Sequence, residues 1–310
     1  MMQQLPWHKA VADCENRGEP YVLVTVLGVT GSVPREPASK MVITGGDTYD
    51  TIGGGHLEYK VIERARARLD AREYGFDLAH FPLGASLGQC CGGSVAVLLE
   101  AQGGSEARLV VFGAGHVAQA LMTVVGQLPW QITWVDSRAE TFPQQVPANV
   151  TVHHTDDPAG DAPELCRGAH ALILTHNHAL DFDLCWKLLE QHRKEQGLDQ
   201  GQAPASIGLI GSQTKAVRFQ QRLQQRGFSE EEIRNIRSPV GRSDVPGKRP
   251  MEVAVSISAE MIALVAEHRT GERADSSKAT RRGLQWSQLK ALQAQEPQTG
   301  QAIEIKQQAG

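Results

Sequence analysis

The feature that most constrains the fold of this chain is the run RLVVFGAGHVAQALMTVVGQL at residues 108–128. It begins as a short apolar, β-rich segment, breaks at two glycines, and continues with apolar residues at helical spacing. A buried strand that passes through a glycine turn straight into a helix predicts a parallel crossover, because a hairpin would return the chain as another strand. The alternation repeats downstream. QITWVD (131–136), HALILTHN (170–177) and SIGLIGS (206–212) read as strands, and helices are expected over 116–128, 184–191 and 214–227. In the last of these Ala216, Phe219 and Leu223 share a face, and Gly227 stands where a left-handed cap belongs. Ser229 and Glu232 form a capping box for a further short helix. Pro250 opens a long apolar helix to about His268. Strands alternating with helices imply a doubly wound parallel sheet.

The first third of the chain has a different pattern. A short helix is expected at its start, then strands at 21–29 (YVLVTVLGV) and 41–44 (MVIT), a loop with Pro34 and Pro37 between them, and a turn at GGD. Gly53, Gly54 and Gly55 lead into a helix in which Leu57, Val61, Ala65 and Leu69 recur every four residues. SVAVLLE (94–100) is another strand. The fold class is therefore α/β: a mixed α+β domain over residues 1–100, a small, polar linker at 101–107 (AQGGSEA), and a doubly wound domain over 108–270. Residues 271–310 lose apolar periodicity and read as a disordered polar tail with a short helix around 284–292.

Composition excludes several classes of function. A net charge of −4 gives no basic footprint for nucleic acid. No apolar run approaches the roughly 18 residues of a membrane span, and the N-terminus lacks the pattern of a secretory signal. The five cysteines are odd in number and two are adjacent, so no disulfide framework is expected and a reducing, cytoplasmic setting fits.

Several residues carry chemistry. Gly113, Ala114, Gly115, His116, Val117 and Ala118 match G-x-G-x-x-A between strand and helix, the context in which helix N–H groups receive a pyrophosphate. Asp136, about twenty residues on at the end of the next strand, stands where a carboxylate accepts from ribose hydroxyls in a Rossmann-type domain. His116 is a candidate phosphate contact or an exposed helix-start residue. His176, His178 and Asp181 lie at the carboxyl edge of the parallel sheet, where such sheets bind ligands. They are candidate cofactor contacts, acid–base groups or metal ligands, with Asp181 as a helix N-cap the plain alternative. In the first domain, Gly53, Gly54, Gly55, His56 and Glu58 form a glycine loop opening a helix, a second anion cradle, with Glu58 better suited to capping the helix. Cys90 and Cys91 lie in LGQCCGG, where glycines leave a soft thiolate within reach of a metal or of sulfur chemistry. Arg35 and Lys40 are cations near the Pro34 loop. Cys14, Cys166 and Cys185 have core-like surroundings.

Taken in order, GSVPREP (31–37), TIGGGHLE (51–58), LGQCCGG (87–93), FGAGHVA (112–118), THNHALD (175–181), GLIGSxxK (208–215), SPVG (238–241) and EVAVSISAE (252–260) resemble the XdhC/CoxI family. Within it, they resemble the XdhC-type accessory proteins of bacterial xanthine dehydrogenase, from about Tyr21 to His268. The resemblance implies a cofactor chaperone of purine catabolism rather than an enzyme. Such a protein binds molybdenum cofactor, protects it while a cysteine-desulfurase-type sulfurase installs the terminal sulfido ligand, and delivers it to the molybdenum subunit of apo-xanthine dehydrogenase. On that reading the phosphate end meets the amides after Gly113 and Gly115, Cys90 or Cys91 faces molybdenum, and His176, His178 and Asp181 hold pterin or oxo groups. Pro37-Ala38-Ser39 and His56 depart from many relatives, which carry glycine and cysteine there. Two rival expectations stand beside this one: an NAD(P)-dependent oxidoreductase, which leaves the cysteine loop without a purpose, and a non-catalytic adaptor. The apolar helix after Pro250 offers a homodimer contact.

Overall fold

The computed structural model describes residues 5–31, 35–82, 93–195 and 203–273. The segment with Cys90 and Cys91, residues Ser32, Val33 and Pro34, and the stretch 284–292 lie outside them.

The first domain is an antiparallel sheet between two helices. Its elements run α1 (Trp7–Arg17), β1 (Tyr21–Thr30), β2 (Lys40–Thr44), β3 (Thr48–Asp50), α2 (Gly55–Asp70), β4 (Gly75–Pro82) and β5 (Ser94–Gln102), with strand order β3-β2-β1-β5-β4. The alternation in β5 turns Val95, Val97, Leu99 and Ala101 to one face, where they bury Leu57, Val61 and Ala65 of α2. On the other face α1 packs Ala10 and Cys14 against Tyr21 and Val42. Each fully buried Val or Leu contributes roughly 1.5–3 kcal/mol.

The second domain runs β6 (Ala107–Phe112), α3 (His116–Val125), β7 (Trp130–Asp136), β8 (Val150–His154), α4 (Pro158–Leu165), β9 (His170–Ile173), α5 (His178–Glu195), β10 (Ser206–Leu209), α6 (Gln213–Gln225), α7 (Glu230–Ile233), β11 (Ile236–Arg237) and α8 (Pro250–Arg273). All six strands are parallel, in the order β11-β10-β9-β6-β7-β8, so strands are added outward on both sides of the β6–β9 pair. This is the doubly wound Rossmann arrangement, with its topological switch point at that pair. One face buries α4, α5 and α6 through Phe182, Leu188, Phe219 and Leu223; the other buries α3 and α8 through Leu121, Ile257 and Met261.

Both sheets match the expected classes, with differences in extent. β5 continues to Gln102 and β6 starts at Ala107, so only 103–106 lie between strands, a shorter connection than 101–107. α8 runs through Gly271 to Arg273, so the helix extends into what reads as the polar tail. The capping box on α7 is present, and Gly227 takes a left-handed φ of 84°.

The chain path fixes where each domain presents its loops. In the first domain Tyr21, Thr44, Gly75 and Gln102 mark the end of the sheet next to the linker. Thr30, Ser94 and Pro82 mark the opposite end, where Thr30 Oγ1 and Ser94 Oγ lie 2.8 Å apart. Arg66 donates to the carbonyls of Thr44 (3.3 Å) and Gly46 (3.0 Å), which ties the C-terminal half of α2 to the linker end. Its N-terminus at Gly55 therefore points to the far end. In the second domain the linker enters at the amino edge of the parallel sheet. Hydrogen bonds between the domains lie there: Ser105 N–H to Gly18 O (3.1 Å) and Gln131 Nε2 to Asn16 O (2.7 Å). A cavity of about 350 Å³ beside them is lined by Glu15 and Asn16 on one side and Gln127, Leu128 and Gln131 on the other.

Candidate functional site

At the switch point three loops meet. The first is the glycine turn after β6. Gly113 has φ 106°, and a Cβ there would stand 2.6 Å from Leu174 O and 3.0 Å from Thr175 Cα. Glycine is thus required both by the dihedral and by close approach to the loop after β9. The turn is pinned on all sides: Gly113 N–H donates to Val135 O (2.7 Å), and buried Trp134 donates its indole N–H to Gly113 O (2.9 Å). Gly115 is the N-cap of α3 with an ordinary φ of −73°, no side chain caps the helix, and no heavy atom lies within 4 Å of where its Cβ would be. The first-turn amides of α3 thus have no side-chain cap, and His116 beside them is exposed.

The second loop follows β7. The Asp136 carboxylate accepts the Ala114 N–H at 2.7 Å on Oδ2 and the Arg138 N–H at 2.9 Å on Oδ1. The Arg138 guanidinium grips both oxygens, at 3.0 and 2.9 Å. Burial alone would raise this carboxyl, but the Arg138 side chain and the two backbone donors outweigh it and hold it below the ordinary aspartate range. Asp136 is only 7% exposed. The acid expected to receive a ribose is turned inward and fastens the glycine turn, and the Ala114 amide expected to meet a phosphate is spent on it.

The third loop holds His176 and His178. Asn177, not Asp181, caps α5: its Oδ1 accepts from Ala179 N (2.9 Å) and Leu180 N (3.3 Å). Asp181 lies one turn inside, fully buried, accepting from Thr175 Oγ1 (2.6 Å) and Lys215 Nζ (2.5 Å). Lys215 also donates to Ile210 O (2.9 Å). This ion pair braces the β9 loop against the start of α6 and leaves His176 and His178 exposed on a rigid base. With Asp181 so engaged, the metal reading of His176, His178 and Asp181 loses its carboxylate; among the described residues no three His, Cys, Asp or Glu side chains gather to hold a metal ion.

In the first domain, Glu58 Oε2 accepts from Thr51 Oγ1 (2.5 Å), Ile52 N (3.2 Å) and Gly54 N (3.0 Å). Glu58 thus closes the loop that precedes its helix rather than capping the helix itself. The first turn of α2, from Gly55 through exposed His56, has no side-chain cap. Lys40 is engaged with Thr25 Oγ1 (2.7 Å) and the Trp7 ring, whereas Arg35 is exposed. Cys14, Cys166 and Cys185 are buried, and burial pushes all three thiols up. The candidate residues therefore fall into two groups, at opposite ends of the chain path. Gly113, Gly115, His116, Asp136, His176, His178 and Asp181 gather at the carboxyl edge of the parallel sheet; Gly53, Gly54, Gly55, His56 and Glu58 lie at the far end of the antiparallel one.

Two working residues carried no assignment from sequence. Arg138 follows Asp136 by two positions and gave no pattern. Lys215 was visible as an anomaly: a cation in the first turn of a helix opposes the macrodipole, and a buried partner explains its presence there.

Fold and site together define a two-domain protein with a Rossmann domain whose open helix start faces its switch point. The chain matches the model of the XdhC and CoxI family over residues 14–82 and that of the XdhC Rossmann domain over 109–261. It belongs to this family. It is 30% identical over 256 residues to the uncharacterized Escherichia coli protein YqeB, covering 81% of this chain and 44% of that protein, so the chain spans less than half the length of this curated relative. Among solved structures it is similar to a Bacillus halodurans protein described as a xanthine dehydrogenase, at 20% identity and a TM-score of 0.45, covering 89% of this chain and 99% of that one. A Rossmann-fold NAD(P)-binding family protein from Shigella flexneri matches at 12% identity and a TM-score of 0.33, over 50% and 87%. Among the described residues no helix is long and apolar enough to cross a membrane.

Proposed function

We propose that the protein is an accessory factor for maturation of xanthine dehydrogenase. It holds molybdenum cofactor in the cytoplasm, shields it during sulfuration by a cysteine-desulfurase-type partner, and passes it to the apo-dehydrogenase. The observation that carries this reading is the uncapped start of α3. A Cβ at its N-cap Gly115 would meet nothing, His116 beside it is exposed, and His176 and His178 belong to the loop packed against the same turn. Unpaired amides and the helix dipole suit the phosphate of the pterin. Imidazoles on a rigid loop suit its polar ring edge or oxo groups. Cys90 and Cys91 are proposed as the thiols near molybdenum, flanked by strands that end at Pro82 and Ser94.

The oxidoreductase reading is the weaker one. In a dinucleotide site the acid after the second strand receives the ribose. Here both Asp136 oxygens are already held by Arg138 and the glycine turn. The test is purification from a molybdenum-replete host, followed by metal analysis and fluorescence of the oxidised pterin. Copurified pterin and molybdenum in equal amounts, lost in Gly115→Asp, support the reading. Tight NAD(H) retention with hydride transfer and no pterin would overturn it.

A further inference from the structure

We propose that a second ligand site lies under α6, in a cavity suited to a small bicyclic heteroaromatic molecule with a lactam edge, a purinone or a pterin. The proposal goes beyond the cofactor reading and does not rest on it. The cavity is on the face of the parallel sheet that buries α4, α5 and α6, whereas α3 lies on the other face.

The cavity has a volume of about 240 Å³. Leu209, Phe219, Leu223 and Ile233 give it apolar walls, with the buried Cys185 thiol among them. Protein interiors leave few voids larger than a water molecule. An apolar cavity of about 150 Å³ already accepts benzene, so this one has room for a second fused ring. One wall is polar. Ser238 follows β11 and lines the cavity, and its hydroxyl oxygen is buried with no hydrogen-bond partner among the described residues. A buried hydroxyl left unpaired is costly and calls for an occupant. A ring nitrogen supplies the missing bond.

The mouth defines the polar edge of that occupant. Gln220, Glu230 and Arg234 line the cavity and are exposed. Glu232 of the same short helix is taken by Arg193, whereas the Glu230 and Arg234 side chains engage no partner among the described residues. Together the three offer a carboxylate acceptor, a guanidinium donor and an amide that is both. A lactam presents N–H beside C=O, the complement of a carboxylate beside a guanidinium. A carboxylic acid would meet Glu230 with like charge, and an amine would meet Arg234 with like charge. A neutral ring with both groups on one edge meets neither penalty. Phe219 packs edge-on against Phe182, with centroids 5.5 Å apart, and Lys215 Nζ lies 5.4 Å from its ring centre. One side chain therefore separates an occupant from the Asp181–Lys215 pair that braces the His176 loop.

The experiment titrates the full chain with hypoxanthine, with pterin, and with indole, a bicycle of similar size that has no lactam; calorimetry reads the affinity. Three variants are titrated in parallel. Arg234→Gln removes the exposed cation, Ser238→Ala removes the orphaned hydroxyl, and Ala216→Met fills the cavity from α6. Melting midpoints without probe check that each variant is folded. A lactam probe should bind once per chain, and indole should bind about tenfold more weakly or worse. Ser238→Ala should weaken the lactam by about three- to tenfold and Arg234→Gln by about tenfold or more. Ala216→Met should abolish binding.

The tighter of the two lactams tells a purine source from a pterin one. Gly115→Asp should leave hypoxanthine affinity unchanged, because that position lies across the sheet, so loss of the cofactor and loss of this site are read separately. Absence of binding by both lactams, or indole bound as tightly as they are, overturns the proposal and leaves the cavity to water or to any apolar guest. Lactam affinity unmoved by Arg234→Gln and by Ala216→Met overturns it as well, since the probe then sits elsewhere.

Discussion

Asp136 and Asp181 look alike in the sequence, as acids following buried strands, yet each is committed to holding a loop. The depressed Asp136 carboxyl contributes stability that is present above the unfolded value of about 3.9 and is lost as pH falls through the lower folded value. Asp136→Asn removes the charge, so it should cost roughly 1–3 kcal/mol at neutral pH. It should also flatten the loss of stability of the wild type below about pH 4. Urea midpoints measured from pH 7 to pH 3 check this; parallel acid limbs in the two proteins would show that the charge does no such work. Lys215→Met leaves Asp181 buried without its cation and should destabilise by about 3–5 kcal/mol. Replacing the pair together, Asp181→Asn with Lys215→Met, should recover much of that loss, since the cost arises from an orphaned charge rather than from the absence of the pair. Denaturation of the three proteins decides it, and a single variant as stable as the wild type would remove the bracing role.

At the scale of elements, the G-x-G-x-x-A turn shows what sequence conveys and what it hides. The pattern placed strand, turn and helix correctly, with Gly113 as the tight-turn residue and Gly115 as the point of backbone approach. In the fold they do opposite things: Gly113 is crowded against Leu174 with a positive φ, whereas Gly115 is relaxed and open. Gly113→Ala should therefore lose several kcal/mol through strain and contact. Gly115→Ala should change stability by no more than about 0.5 kcal/mol while lowering pterin content. Equal losses of stability at both positions would refute the distinction. Long apolar elements such as β1, α2 and α8 were legible because burial of one face imposes a period. β4 was not, because Asp77 and His80 interrupt it at the sheet edge; α4 was not, because Pro158 and Pro163 read as loop. The start of α5 was missed for a related reason. Asn177 caps the helix, whereas Asp181, for which the cap was the plain alternative, is bound to Lys215, a partner distant in sequence.

For the whole molecule, the decisive fact is that apolar burial stays within domains. One set of clusters draws on residues of the antiparallel sheet and its two helices, and another on the parallel sheet and its helices. Between them lie a four-residue connection and hydrogen bonds around Gly18, Ser105 and Gln131. Cooperativity spreads through shared core, so contacts of this kind couple the two units weakly. Calorimetry of the full chain should resolve two transitions. Leu99→Ala in the first core and Leu121→Ala in the second, both fully buried, should each cost about 2–5 kcal/mol. Each should lower one transition by several degrees and leave the other in place. A cofactor that touches both domains changes the outcome in a defined way: it ties the first domain to the second, so loading with pterin should draw the two transitions together. Two transitions that stay apart when the protein is loaded would show that the cofactor touches one domain alone. A single transition in the empty protein, moved as a whole by either substitution, would show that the junction carries far more coupling than its few contacts provide.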